Sequence, residues 1–264
     1  MLSVRVHSGD TTLTGYRNQK SSRVVRKQGE GDGQDFRPVR RRSAIPPEER
    51  NRPDRRAAIL ASAEKLFADR GFHGASVRDI ASDAGVPLAL VGYYFGKKAE
   101  LFATIFERRQ DYFDKRVALI EAVVKSGSQG DLVEQVIRAW AEPALMIGSE
   151  EDGKTFTTLV ARGIWDAGID NRRAIERHFD RVADAFLQAM GRALPDCDRN
   201  RLVWGYQYAV GSLLTHIVSS RVVQLSSGEE VPGDLERREE LICFLASGFR
   251  SLAGLSERIK TQNQ

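Results

Sequence analysis

The sequence predicts an all-α fold, with a small three-helix head followed by a larger helical body. Three observations carry that expectation. After Pro53, apolar residues recur at i, i+3/i+4 and i+7 through most of the chain. No segment alternates apolar and polar residues for long enough to form a strand. The stretches that interrupt the periodicity, GSQG, GSEEDG, AGIDN, LPDCD and SSGEEVPG, are rich in turn formers. The chain has 264 residues, 41% hydrophobic and 29% charged, which is enough for a sizeable buried core.

Residues 1–50 show no periodic apolar face. They are rich in Gly, Ser, Thr, Arg and Gln, carry the run RPVRRR and end near Pro46-Pro47, a composition expected of a disordered segment. They hold 11 Lys/Arg against 6 Asp/Glu, a net +5, whereas the remaining 214 residues hold 29 against 30, a net −1. This asymmetry fits either an arm that approaches an anionic partner or a solubilising tail. An over-extended gene start is a third reading of the same stretch.

The first helix is expected in PDRRAAILASAEKLFADRG. There Ile59, Leu60, Ala63, Leu66 and Phe67 share one face, and Gly71 supplies a stop. Ser76 is placed to cap a second helix, with Asp79 three residues on as its capping-box partner. Val77, Ile80, Ala81 and Ala84 form the inner stripe of this helix, and Gly85 ends it after barely two turns. Val86-Pro87 opens a third helix, Leu88 to Phe95, where a proline loses nothing by lacking an N–H. Helices are expected next over 98–125, 131–147, 153–166, 171–193, 199–226 and 234–254. The organisation read from this is a basic segment at 1–50, a head at 51–98 and a helical body at 99–264.

Two short helices joined by a glycine turn make a helix-turn-helix pattern. A two-turn helix is not stable alone and must pack on its neighbours. What such a pair gains is a second helix that projects far enough to enter a DNA major groove. Tyr93, Tyr94, Lys97 and Lys98 follow at its exit. Phenolic hydroxyls, ammonium groups and the free N–H groups of a helix start all suit phosphate oxygens. The competing roles are core packing for the tyrosines and an ordinary solvated face for the lysines.

Residues 55–102 resemble the N-terminal domain of the TetR family of transcriptional regulators. The resemblance is carried by RAAILASAEKLFADRGF, SVRDIASDAGV and YYFGKKAELF, in that order and spacing. It implies an all-α homodimer whose helical body holds a ligand pocket and the dimer interface. It also implies DNA-contacting roles for Ser76, Arg78, Leu88, Ala89, Leu90, Tyr94 and Lys98, with Arg56, Pro87, Tyr93 and Lys97 completing the expected surface. Gly92 departs from the usual tyrosine, which is displaced to Tyr93, and Pro87 replaces a usual Ser or Thr. The apolar Leu88, Ala89 and Leu90 can meet only thymine methyl groups or pack in the groove. That leaves Arg78 as the one side chain of the motif suited to a bidentate contact with guanine, its other readings being a phosphate contact or an ion pair with Asp79 or Asp83.

In the body, Trp140, Met146, Phe156, Trp165, Phe179 and Phe186 fall on inner faces of successive helices. Core packing and the lining of an effector pocket place such residues alike. An apolar or amphipathic effector would suit them, an acyl chain among the candidates. Val210, Leu214, Ile242, Leu245 and Phe249 are read as the apolar seam of a homodimer formed by the last two helices.

The histidines, His7, His73, His178 and His216, are scattered, and no catalytic or metal-ligand spacing is present, so an enzyme, a cofactor or a metal site is not expected. Cys197 and Cys243 stand alone, which fits a reducing compartment. No apolar run is long enough to span a bilayer, and the first thirty residues show no secretory signal, so a cytoplasmic protein is expected. The partners expected are a double-stranded DNA operator, a small-molecule effector and a second copy of the chain. The alternative is a helix-turn-helix protein without an effector, controlled by a protein partner or purely architectural.

Overall fold

The structure is a computed structural model that describes residues 52–127, 130–165 and 169–262. The basic segment at 1–50 lies outside the described residues. The fold is all-α. Its helices are α1 (Arg52–Gly74), α2 (Val77–Asp83), α3 (Leu88–Phe95), α4 (Lys98–Glu107), α5 (Gln110–Ser126) and α6 (Leu132–Ser149). They continue with α7 (Glu151–Trp165), α8 (Ile169–Ala193), α9 (Arg199–Val218), α10 (Arg221–Leu225) and α11 (Arg238–Gln262), the last preceded by a short 3₁₀ turn at Leu235–Arg237.

The head follows its local chemistry. Within α1 the helix breaks at Gly71, whose φ of 73° is one that side chains with a Cβ rarely adopt. The break folds Phe72 back onto Phe67 and Phe102, with ring centroids 5.6 and 5.3 Å away. Ser76 caps α2 as expected. Its hydroxyl oxygen accepts from the Asp79 N–H at 3.1 Å, and the Asp79 carboxylate accepts from the Ser76 N–H at 3.0 Å. Gly85, at φ 64°, turns the chain from α2 toward α3. Ile59, Leu60, Ala63, Leu66 and Phe67 of α1 pack with Ile80, Ala81, Val91 and Phe95 in one apolar core. Replacing Ser76 by Ala is expected to cost about 1 kcal/mol, the usual worth of an N-cap, read as a lowered denaturant midpoint at unchanged m-value.

The body departs from expectation in two places. The helix anticipated over 98–125 is broken at Arg108 and Arg109, where Arg109 adopts φ −104°, ψ 21°. The reason is tertiary. At the break the Arg109 Nη2 donates to Glu64 of α1 at 2.9 Å, and its guanidinium lies 4.5 Å over the Phe156 ring of α7. The helix anticipated over 199–226 ends at Val218, and Ser219 and Ser220 separate it from α10.

α1 packs on α4 and also on α7, so it belongs to the head and the body together. Deeper in the body, Trp140, Phe186, Tyr206 and Phe249 form a ring cluster with centroids 5.3 to 5.9 Å apart. Arg138 of α6 ties α11 to α6 by donating to both carboxylate oxygens of Glu239 at 2.8 and 2.7 Å. No helix among the described residues is long and apolar enough to cross a membrane.

Candidate nucleic-acid interface and effector cavity

α3 hangs from the head by Val91 and Phe95, which are buried, and leaves Pro87, Leu88, Ala89 and Tyr93 exposed. Leu90 and Tyr94 are half-buried. The Tyr93 and Tyr94 rings meet edge to face at 5.3 Å, with Tyr93 the more exposed of the two. Tyr94 thus shares its ring with the head core while Tyr93 stands clear. Lys97 is exposed at the start of α4, and its N–H donates to the Glu100 carboxylate at 2.7 Å. Lys98 is half-buried, with its ammonium 4.4 Å over the Phe72 ring. Burial there pulls its pKa below the ordinary lysine value. Arg56 is exposed, and its guanidinium lies 5.0 Å over Phe95.

Arg78 is exposed on α2. Neither of its candidate ion-pair partners is engaged with it. Asp79 is held by Ser76, which keeps its carboxyl below the usual range, and lies 3.8 Å from Arg70. Asp83 pairs with Lys65 at 3.1 Å. Arg78 is thus exposed and in no salt bridge with either carboxylate.

The body contains a largely apolar cavity of about 50 Å³ between α5, α6, α7, α8 and α9. Trp140, Phe156 and Phe179 line it, as does Val210. Met146 does not. It is half-exposed and lines an open groove of about 730 Å³ along α5 and α6. The side chain of Trp165 lies outside the described residues. Phe186 is core, its ring tilted against Trp140.

The seam read from sequence is corrected in the same way. Leu214, Ile242, Leu245 and Phe249 are buried within the one chain, and Val210 faces the cavity. α9 and α11 are apolar on more than one face, and the residues chosen are those packing inward. Among the described side chains of these two helices, Trp204, Tyr208 and Phe244 are the large apolar ones left outside, respectively 61%, 59% and 67% exposed.

Two family models match the sequence. One, described as bacterial regulatory proteins of the tetR family, covers residues 59–105. The other, described as the tetracyclin repressor-like C-terminal domain, covers residues 138–248. Together they account for more than half of the chain. The chain belongs to the TetR family of transcriptional regulators.

It is 37% identical over 60 residues to the HTH-type transcriptional activator FasR of Mycolicibacterium smegmatis, covering 23% of this chain and 27% of that one. It is 30% identical over 79 residues to the probable HTH-type transcriptional regulator YttP of Bacillus subtilis, covering 30% of this chain and 38% of the relative. The chain thus spans well under half the length of these curated relatives. Among solved structures, the transcriptional regulator FadR of Bacillus subtilis, in complex with stearoyl-CoA, aligns over 73% of this chain and 98% of its own. The TM-score is 0.50 and the identity 13%, which shows a shared fold.

As a TetR-family regulator the chain also has side chains at its junctions that sequence reading missed. Glu64 and Arg109 join the head to the body. His178 stacks between Phe106 and Phe113, with centroids at 6.2 and 5.2 Å. Burial, reinforced by Arg177, holds its pKa below the ordinary histidine value, which favours the neutral ring. Arg116 is buried at the cavity wall. The signal for Arg116 was present in the sequence. It shares the inner stripe of α5 with Phe113 and Ile120, where a charge is out of place.

Proposed function

We propose that this TetR-family regulator is a ligand-responsive repressor. It binds a pseudo-palindromic operator through residues 51–98 and releases it when a small apolar or amphipathic molecule occupies the body. One observation carries the proposal. Phe156 lines the cavity, supports the Arg109 guanidinium from below, and Arg109 holds Glu64 of the head helix. A molecule that displaces Phe156 acts directly on the group that sets where α1 sits. The effector shifts the equilibrium only to the extent that it binds the two arrangements unequally.

On the DNA side, Arg78 reads a base, Leu88, Ala89 and Leu90 line the groove, and Ser76, Tyr93, Tyr94, Lys97 and Lys98 hold phosphates, with Arg56 and Pro87 at the edge. A homodimer formed on Trp204, Tyr208 and Phe244 would carry two heads. Its half-sites would be centred about one turn of B-DNA apart or somewhat more. Footprinting of purified protein tests this, and protection of one asymmetric half-site by a monomer would defeat it. Operator release by acyl compounds and aromatic drugs, followed by anisotropy, tests the effector half of the proposal. Activation is a second reading, favoured by the name of the FasR relative. Transcription from a promoter carrying the footprinted site decides the sign.

Two substitutions separate positioning from reading. Lys98→Ala is expected to weaken binding to all sequences alike and to lower the salt slope by about one. Arg78→Ala is expected to cost roughly 1–3 kcal/mol on the operator and to relax preference at one base pair per half-site. Equal losses on operator and scrambled DNA would make Arg78 a phosphate contact instead.

A further inference from the structure

The cavity in the body is apolar except at one corner, and that corner is unbalanced in charge. Arg116 is 3% exposed. Its Nε and Nη2 both donate to the Trp140 carbonyl, at 3.2 and 2.8 Å. Its guanidinium lies 5.6 Å from the Tyr112 ring and 5.5 Å from the Trp140 ring. No carboxylate among the described residues pairs with it, and no Asp or Glu lines the cavity. Beside it the Trp140 indole N–H is buried, with the Tyr206 hydroxyl near it but no well-formed hydrogen bond to it. The Tyr206 hydroxyl group belongs to the same wall.

Part of this has a structural explanation. Pro143 lies inside α6 and has no N–H, which removes the helical donor from the Ala139 carbonyl and loosens that turn. Arg116 braces the next carbonyl along. That role uses two of its N–H donors and compensates none of its charge. A guanidinium keeps its proton at any physiological pH. A buried cation without a counter-ion is costly, so an anion entering this corner is strongly favoured over a neutral group of the same shape. The orphan indole N–H adds a second donor that only an acceptor can satisfy.

We infer that Arg116 and the Trp140 indole N–H form an anion site, and that the effector filling this cavity is a free monocarboxylic acid with an apolar remainder. The inference rests on the reading of the cavity as an effector site and narrows its ligand. A carboxylate matches the planar fork of a guanidinium and cancels one charge with one charge. A phosphate dianion would leave an excess negative charge buried in the same place. The space of about 50 Å³ admits the carboxylate and a few carbons as it stands, since one water needs about 10–15 Å³. A longer chain has a way out. Tyr112 and Ile147 line both this cavity and the open groove between α5 and α6. An acyl thioester has no free carboxylate to offer, so the acid and its thioester are distinguishable ligands here.

The experiment uses the full chain and matched neutral and charged probes: butyrate, octanoate and benzoate, each against its primary amide. Binding is followed by calorimetry and by thermal shift on wild type, Arg116→Met, Arg116→Lys and Trp140→Phe. At least one acid should bind wild type tenfold or more tightly than its amide. The ratio should fall to about one in Arg116→Met and persist, at lower affinity, in Arg116→Lys. Trp140→Phe keeps a ring and the Arg116 brace but loses the indole N–H. It should weaken the acid severalfold and the amide less, since a charged acceptor gains more from the N–H than a neutral one, which keeps the inference testable should Arg116→Met fold poorly. Equal binding of acids and amides to wild type, or no binding of any acid, overturns the inference. In that case an amide, ester or thioester that still releases operator DNA leaves the effector reading standing. Failure of every compound, neutral ones included, to change stability or operator affinity removes both.

Discussion

Replacing Phe67 by Ala is expected to cost about 3–5 kcal/mol and to abolish operator binding at the temperature where wild type binds. The ring is 1% exposed and sits between Phe72 and Phe102, 5.6 and 5.3 Å away. It therefore holds three parts of the chain together: α1, the segment beyond the Gly71 break, and α4. Removing it leaves a cavity bordered by stiff rings that cannot collapse inward, which puts the cost toward the upper end of the large-to-small range. Total stabilities of about 5–15 kcal/mol make such a loss a large fraction of the whole. Urea denaturation followed by circular dichroism measures it. Because α1 also packs on α7, the head should not melt as a separate transition. A loss under about 1 kcal/mol, or an early transition confined to the head, would contradict this account.

The second large effect is expected at Glu64. Its side chain is 8% exposed and that of Arg109 is 19% exposed, so the pair is mostly screened from water. Glu64→Ala removes the carboxylate that accepts from Arg109 Nη2 while the guanidinium stays over Phe156, so the cost for a one-sided break is an upper bound here. Breaking a buried pair from one side costs about 3–5 kcal/mol, more than the intact pair contributes over an apolar replacement. Glu64→Leu combined with Arg109→Leu should therefore be distinctly more stable than Glu64→Ala alone. Denaturant midpoints of wild type and of these two variants test that ordering. The pair also has a functional readout. If it transmits occupancy of the cavity to the head, the double variant should bind operator DNA and respond poorly to effector. An undiminished response would place the transmission elsewhere.

The parts of this molecule that were legible in its sequence are those fixed by neighbours in the chain. Ser76 and Asp79 cap α2 through bonds spanning three residues. Gly71 and Gly85 mark places where the backbone takes a positive φ. These are local statements, and local chemistry suffices to read them. That the body is helical was legible for a similar reason, since apolar periodicity reports that a helix is buried, although two of the expected helices are broken.

Periodicity does not report on what the buried face packs against, and each miss follows from that. Arg108 and Arg109 fall inside the one helix expected over 98–125, yet α4 ends there, where Arg109 reaches a carboxylate forty-five positions earlier. Leu214, Ile242, Leu245 and Phe249 were natural choices for an outer seam, but α9 and α11 have apolar residues to spare. The structure spends these four inside and leaves Trp204, Tyr208 and Phe244 outside. Met146 sits one helical step away from Leu145, and that step separates the open groove from the buried core. Which face turns inward is decided by elements remote in sequence.

The double duty of α1 limits how this protein can be recombined with its relatives. A crossover placed just after Lys98 would give the recipient a head without Leu101, Phe102, Ile105 and Phe106, all buried side chains of α4. Phe67 and Phe72 would then face whatever residues the new body happened to supply, and Glu64 would lose its arginine. An isolated piece of about 45 residues is also near the lower limit of what one apolar core can hold together. Exchanging DNA specificity between such proteins by transplanting a whole head is thus a repacking problem. If operator preference lies in the exposed residues of α2 and α3, exchanging Arg78, Leu88 and Ala89 alone leaves the buried contacts of donor and recipient intact. Drift in operator preference can proceed by that second route without passing through unstable intermediates, while α1 stays matched to its own α4 and α7.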